Sequence, residues 1–142
     1  MSISAFVARC TVSDLLPGIG FEFYALRILN YTLNLKRSPV GLDDHIPAAA
    51  AWILHAGEWM YAKDDDSEEL KRVSIGEPWE LDWIYEGPEG FNKERWGFWR
   101  KRFKEEARNA DLKEETRGYA RKAYEKMVEI EEETVTGPGH AQ

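Results

Sequence analysis

The sequence predicts an all-α fold, an irregular helical bundle of about five to six helices that ends in an antiparallel helical hairpin. Three observations carry that expectation. Apolar residues recur at intervals of three and four over most of the chain, capping residues precede several of those runs, and proline or glycine closes them. The 142 residues suit one domain with one core, and 43% hydrophobic content with six each of Trp, Tyr and Phe is far from the composition of a disordered chain. The domain is expected over residues 1–134. Residues 135–142, with Gly137, Pro138 and Gly139, have nothing to bury and are expected to form a disordered tail.

Phe6, Val7, Cys10 and Leu15 fall at helical intervals before Pro17-Gly18, which predicts a short first helix over 3–16. Over 21–35, Phe21, Tyr24, Ile28, Tyr31 and Leu35 form one apolar stripe and Leu26, Leu29 and Leu33 widen it, so this helix is expected to be central. Lys36, Arg37, Pro39 and Gly41 read as its stop. Asp43 or Asp44 is then expected to cap a helix that runs to about Lys63, with Pro47 near its first turn, where a missing backbone donor costs nothing. Ile46, Ala49, Ala50, Ile53, Gly57 and Met60 make one stripe of that helix and Trp52, Ala56 and Trp59 the next. Its small residues allow a neighbouring helix to come close.

Asp66-Ser67-Glu68-Glu69 reads as a capping box for a short helix fading near Ile75-Gly76, and 76–90 as a packed connector bearing Trp79, Trp83, Ile84 and Tyr85. Asn92 is expected to cap a helix with Trp96, Trp99, Phe103, Ala107 and Ala110 on one face. Asp111 and Glu114 suggest a second capping box, and Leu112, Thr116, Tyr119, Ala123, Met127 and Ile130 form the stripe of the final helix.

Nineteen Lys and Arg against 26 Asp and Glu leave a formal charge of -7, which argues against a whole surface built for nucleic acid or an anionic membrane. The charge is uneven. Residues 93–108 hold seven basic and three acidic side chains, whereas 64–89 hold ten acidic ones against Lys71 and Arg72. Arg100-Lys101-Arg102 has the composition of a nucleic-acid contact or an import patch. An acidic segment beside it would repel phosphate, so docking of the basic helix against that segment of the same chain is favoured, as is a simple solvated face. Cys10 is the only cysteine, which excludes an intrachain disulfide and fits a reducing compartment. The chain opens without a basic leader, and its longest other apolar stretch, 46–54, is far short of the roughly 20 residues of a membrane span. A cytoplasmic location is expected, a nuclear one being the alternative.

Asp64-Asp65-Asp66-Ser67-Glu68-Glu69 resembles the aspartate-rich Mg-binding motif of terpenoid synthases, in which hard oxygen ligands serve the metal and an aromatic cavity serves a carbocation. No second such motif occurs, and the favoured reading is a solvated helix cap; no metal and no cofactor are expected. His55 and Glu58, three apart, share a helix face and could ligate a metal or act as a general base with its orienting partner. No Glu-x-x-His pair on another helix completes such a site, which favours a structural contact. His45, placed in a loop beside Asp43 and Asp44, and His140 in the tail have no assembled partner. Nucleophile elbows, phosphate loops and Cys-x-x-Cys pairs are absent from the sequence. The Trp96, Trp99 and Phe103 stripe reads first as core; Phe98 points off it, and would mark a partner surface if exposed together with nearby tryptophans.

Several blocks also resemble a known family. Ser4-Ala5-Phe6-Val7-Ala8-Arg9, then Tyr24-Ala25-Leu26-Arg27-Ile28-Leu29, then 46–57, then 90–103, followed by Glu115-Thr116-Arg117 and 120–127, are similar in order to the blocks of the fungal domain-of-unknown-function family 3632. The resemblance implies a helical fold and a fungal intracellular protein, and it brings no catalytic residues.

The function expected first is a non-catalytic protein-interaction or scaffold domain, with a protein partner or self-association and no membrane; nucleic-acid binding through Lys93 to Arg108 is the disfavoured third reading. The alternative is a small-molecule-binding protein or small enzyme, with Trp52, Trp59, Trp96 and Trp99 lining a pocket between helices and His55 and Glu58 as its polar groups.

Overall fold

The computed structural model describes residues 21–34, 39–62, 84 and 92–136. Among them every regular element is an α-helix. The four are α1 (Phe21–Leu33), α2 (Pro39–Ala62), α3 (Lys93–Glu106) and α4 (Glu114–Thr136). The sequence expectations for 3–16, for 66–75 with its acidic run, for the connector apart from Ile84, and for the tail beyond 136 lie outside the described residues.

α2 is apolar around most of its circumference, as a helix covered on several sides must be, and it packs on α4 and on α1. Ile46, Ala49, Ala50, Trp52, Ile53, Ala56 and Met60 are all buried along it. α4 is polar except for one stripe. Its core residues Ala123, Met127 and Ile130 fall on the predicted stripe, continued toward the N-terminus by Thr116 and Leu112, but Ala120 is buried in place of the expected Tyr119, which is half-buried against the core. α3 contributes Trp96, Trp99 and Phe103, again the expected face. Each such large side chain is worth roughly 1.5–3 kcal/mol when fully buried, which far exceeds what helix propensity supplies.

Gly57 shows why the small residues of α2 matter. A Cβ there would lie 2.8 Å from Cδ1 of Ile130 and 3.8 Å from the edge of the Trp96 ring. Hydrogen on that Cα lets α4 seat Ile130 against the α2 backbone, the close approach that the Ala and Gly content predicts.

α1 is held by a buried polar node at its C-terminal end. The Trp99 indole N–H donates to Asn34 Oδ1 at 2.8 Å, and Asn34 Nδ2 donates to Asn30 Oδ1 at 3.1 Å. Arg102 Nε donates to the Leu33 carbonyl at 3.0 Å, and the Ile84 backbone N–H donates to the Asn34 carbonyl at 2.7 Å. These bonds supply acceptors and donors that a helix terminus otherwise lacks.

Three local expectations are corrected. α2 begins at Pro39, not beside Asp43 or Asp44, and Pro47 stands in its interior. Pro39 has the fixed φ that suits a first helical position, and burial of Leu42 and Ile46 outweighs the hydrogen bond that Pro47 cannot make. His45 is therefore on a helix rather than in a loop; its Nδ1 bonds the Gly41 carbonyl at 2.7 Å and its ring tilts against Tyr31 at 5.0 Å. At α4, the backbone N–H of Lys113 donates at 3.0 Å to Asp43 of α2, so the acid that accepts from the backbone just before this helix comes from 70 positions earlier. Asn92, by contrast, caps α3 as expected, accepting from the Arg95 N–H at 2.8 Å.

Candidate functional site

Beyond Ile53, the α2 stripe that faces the core leaves His55, Glu58, Trp59, Tyr61 and Ala62 at or near the surface. α4 runs alongside in the same direction: Lys113 meets Asp43, Ile130 meets Gly57, and Glu133 and Thr134 come beside Tyr61 and Ala62. The seam between the two helices opens into two adjoining depressions that share Glu58. One, of about 220 Å³, is bounded by residues 54–59 and Lys126. The other, of about 300 Å³, lies at the C-terminal ends of both helices and is lined by Glu58, Tyr61, Ala62, Lys93, Ile130, Glu133 and Thr134.

Lys93, the first residue of α3, crosses this second groove. Its ammonium sits 3.7 Å from the centroid of the Tyr61 ring and donates to the Tyr61 carbonyl. Tyr61 in turn tilts against Trp96 at 4.9 Å, which fixes the ring from behind. The Thr134 hydroxyl donates back to the Ile130 carbonyl at 2.9 Å. Glu58 and Glu133 are exposed and form no hydrogen bond or ion pair among the described residues.

The opposite end of the seam is electrostatically settled. Asp43 accepts from the hydroxyl of Thr116 and from the Lys113 backbone N–H, with the Lys113 and Arg117 charges nearby, and these hold its carboxyl below the ordinary aspartate value.

His55 and Glu58, singled out on sequence, do share one face, and with Trp59 and Lys126 they border the smaller depression. The four candidate tryptophans part company. Trp52, Trp96 and Trp99 are 0%, 3% and 1% exposed and belong to the core, while Trp59 reaches the depression. Phe98 is half-buried against the core. No group of three or more His, Cys, Asp or Glu side chains able to hold a metal occurs among the described residues.

The basic helix is largely engaged within the chain. Besides Lys93, Arg100 pairs with Glu131, Arg102 with the Leu33 carbonyl and with Glu106 at 3.1 Å, and Lys104 lies over the Tyr124 ring at 5.7 Å. Lys101 and Arg108 are exposed. Sequence reasoning missed Tyr61, Lys93, Lys126, Glu133 and Thr134 as groove residues. One signal was available: 129–133 is acidic and closes a helix whose last turn has no basic residue, against the preference of a helix C-terminus for cations.

No helix of the described residues is long and apolar enough to cross a membrane. Searches of curated proteins and of solved structures give no match. Residues 1–103, well over half of the chain and including α1, α2 and most of α3, match the family described as protein of unknown function (DUF3632), and the chain therefore belongs to that family.

Proposed function

We propose that this protein is a non-catalytic helical interaction or scaffold module that engages a protein partner, or a second copy of itself, through the polar seam between α2 and α4. The observation that carries this reading is the division of labour among its aromatic residues. Trp52, Trp96, Trp99 and Phe103 are spent on the core, and that rigid interior holds α2 and α4 in fixed register so that Glu58, Tyr61, Lys93, Lys126 and Glu133 are displayed around one pair of depressions. Ile84 is the exposed large hydrophobic side chain among the described residues, so the recognition they offer is by charge, hydrogen bonds and aromatic faces. Such contacts set specificity and encounter rate more than raw affinity. A cytoplasmic or nuclear setting accompanies this reading, as does a chain of five to six helices closed by an antiparallel α3–α4 hairpin. The opposed order of the Arg100–Glu131 and Lys104–Tyr124 contacts supports the hairpin.

The test is light scattering after size exclusion, joined to a pull-down with the intact chain. A dimer, or a partner retained in stoichiometric amount, is the expected result. A strict monomer that retains nothing would remove the ground for the interaction reading.

A second reading is favoured by one observation: His55, Glu58 and Trp59 border the same depression with Lys126. On this reading the depression takes a small ligand with an anionic group opposite Lys126 and a planar part against Trp59. A thermal-shift screen against carboxylates, phosphates and nucleotides would find a ligand whose stabilising effect is lost in Lys126→Ala and His55→Gln. Equal shifts in wild type and both variants would dismiss it.

A further inference from the structure

Two negative helix poles converge on the larger groove. Tyr61 and Ala62 belong to the last turn of α2 and Glu133 and Thr134 to that of α4, and neither last turn contains a basic residue. Each helix C-terminus carries the equivalent of roughly half an elementary negative charge. The carboxylates of Glu58 and Glu133 add to this, and among the described residues of the lining Lys93 is the one cation. Lys93 spends its ammonium on the Tyr61 ring and carbonyl, so both carboxylates remain without a partner among the described residues. Among the described residues the groove thus gathers more negative charge than they neutralise, and the seat of Lys93 shows how a positive charge is received: ring face beneath, carbonyl oxygen ahead, carboxylates at the rim.

We propose that this groove receives a lysine or arginine side chain from a basic segment of a partner protein, with Lys93 as the resident stand-in for that group. The proposal rests on the interaction reading above and names the chemistry of the partner. A volume of about 300 Å³ is at the low end of small-molecule sites and suits one long side chain entering from outside. A lysine or arginine lays its apolar stem along Ile130 and Ala62 while its charged end meets the acceptors. The formal charge of -7 draws such a segment toward the chain at a distance.

The probe is a fluorescently labelled Gly-Ser peptide carrying several lysines, titrated by anisotropy at low salt against the intact chain, with its glutamine-substituted counterpart as the blank. Glu58→Gln and Glu133→Gln should each weaken binding by roughly two- to five-fold, as exposed ion pairs do. Lys93→Gln, which vacates the seat, should tighten it by a similar factor. Glu115→Gln, an exposed acid in the first turn of α4, should change nothing. Thermal melts of each variant establish that the fold is kept. A loss with Glu115→Gln equal to that with the groove variants would mean diffuse charge attraction and overturn the site. So would indifference to Lys93→Gln. Free lysine amide binding as tightly as the peptide would assign the groove to a small amine and overturn the partner-protein reading. A natural partner retained equally by wild type and by the Glu58→Gln, Glu133→Gln double variant would leave the interaction reading standing and remove this groove from it.

Discussion

The two ends of the α2–α4 seam solve opposite electrostatic problems with the same kind of side chain. Near the start of both helices, the positive pole of α4 meets the Asp43 carboxylate, which takes the Lys113 N–H and the Thr116 hydroxyl. Near their ends, two negative poles meet Glu58 and Glu133, with Lys93 as the cation among the described groove residues. An acid completes the structure at one end and works against it at the other. Between them lies the close contact of Gly57 with Ile130, which keeps the helices in register. The comparison teaches that the described residues answer the charge at one end of the seam and leave it unanswered at the other, which is the ground of the partner reading proposed above.

Breaking the middle of the seam should have the largest effect. Ile130 is 2% exposed, and Ile130→Ala should cost about 2–5 kcal/mol in a urea melt, the range for a truncated core aliphatic residue. Because Ile130 also lines the groove, the same variant should lose peptide binding at concentrations where it is still folded. A cost near zero would show that α4 is not seated on α2 as described.

Gly57 provides a finer probe of that contact. Gly57→Ala alone should be destabilising by about 1 kcal/mol, because pushing Ile130 off its seat outweighs the helix propensity that alanine gains. Ile130→Val removes the Cδ1 atom that a Cβ at 57 would meet at 2.8 Å. In that background Gly57→Ala should become stabilising by about 0.5–1 kcal/mol, the propensity gain expressed without the clash. A double-mutant cycle with no coupling would separate the two positions.

How much of this was readable in advance depends on the range of the interaction. Helical stripes are local, and Trp96, Trp99, Phe103, Met127 and Ile130 fell where their spacing placed them. The Asn92 cap, made to a residue three positions on, was readable for the same reason. Local rules place Pro47 at a helix start, and only the packing of Leu42 and Ile46 shows that the helix is already under way. The acid that serves α4 was not readable at all, since it lies on another helix. His55 and Glu58 were correctly put on one face, but their groove partners are set by the parallel run of α4 and by Lys93 crossing from α3, neither of which has a sequence signature. The acids of 129–133 break a local rule legibly; Glu131 is answered by Arg100, and Glu133 is the one of them that lines the groove.

Asp43→Ala tests the settled end. Its carboxyl is held below the ordinary aspartate value in the folded chain, so the stability it lends is fully present above the unfolded value of about 4 and is lost as the pH falls through the lower folded value. The variant should therefore be less stable than wild type at neutral pH and should converge with it in strong acid. Asp43→Asn keeps an acceptor for the Lys113 N–H and should fall between the two. Parallel acid-denaturation curves for wild type and Asp43→Ala would show that the carboxyl is not linked to folding.

Glu133→Gln is the smallest effect and the most diagnostic, because its sign should be reversed. Removing this charge takes an anion away from a helix C-terminus and from the neighbourhood of Glu58, and should raise stability by roughly 0.3–1 kcal/mol at low ionic strength. The gain should shrink as salt is added, since Glu133 is exposed and the Debye length contracts to about 10 Å at 0.1 M. The same substitution should weaken the lysine peptide. A residue whose removal makes the chain more stable and its groove less able to bind is one that the fold carries at a cost. Loss of stability in Glu133→Gln would instead place this carboxylate among the supports of the bundle, and the contrast between the two ends of the seam would collapse.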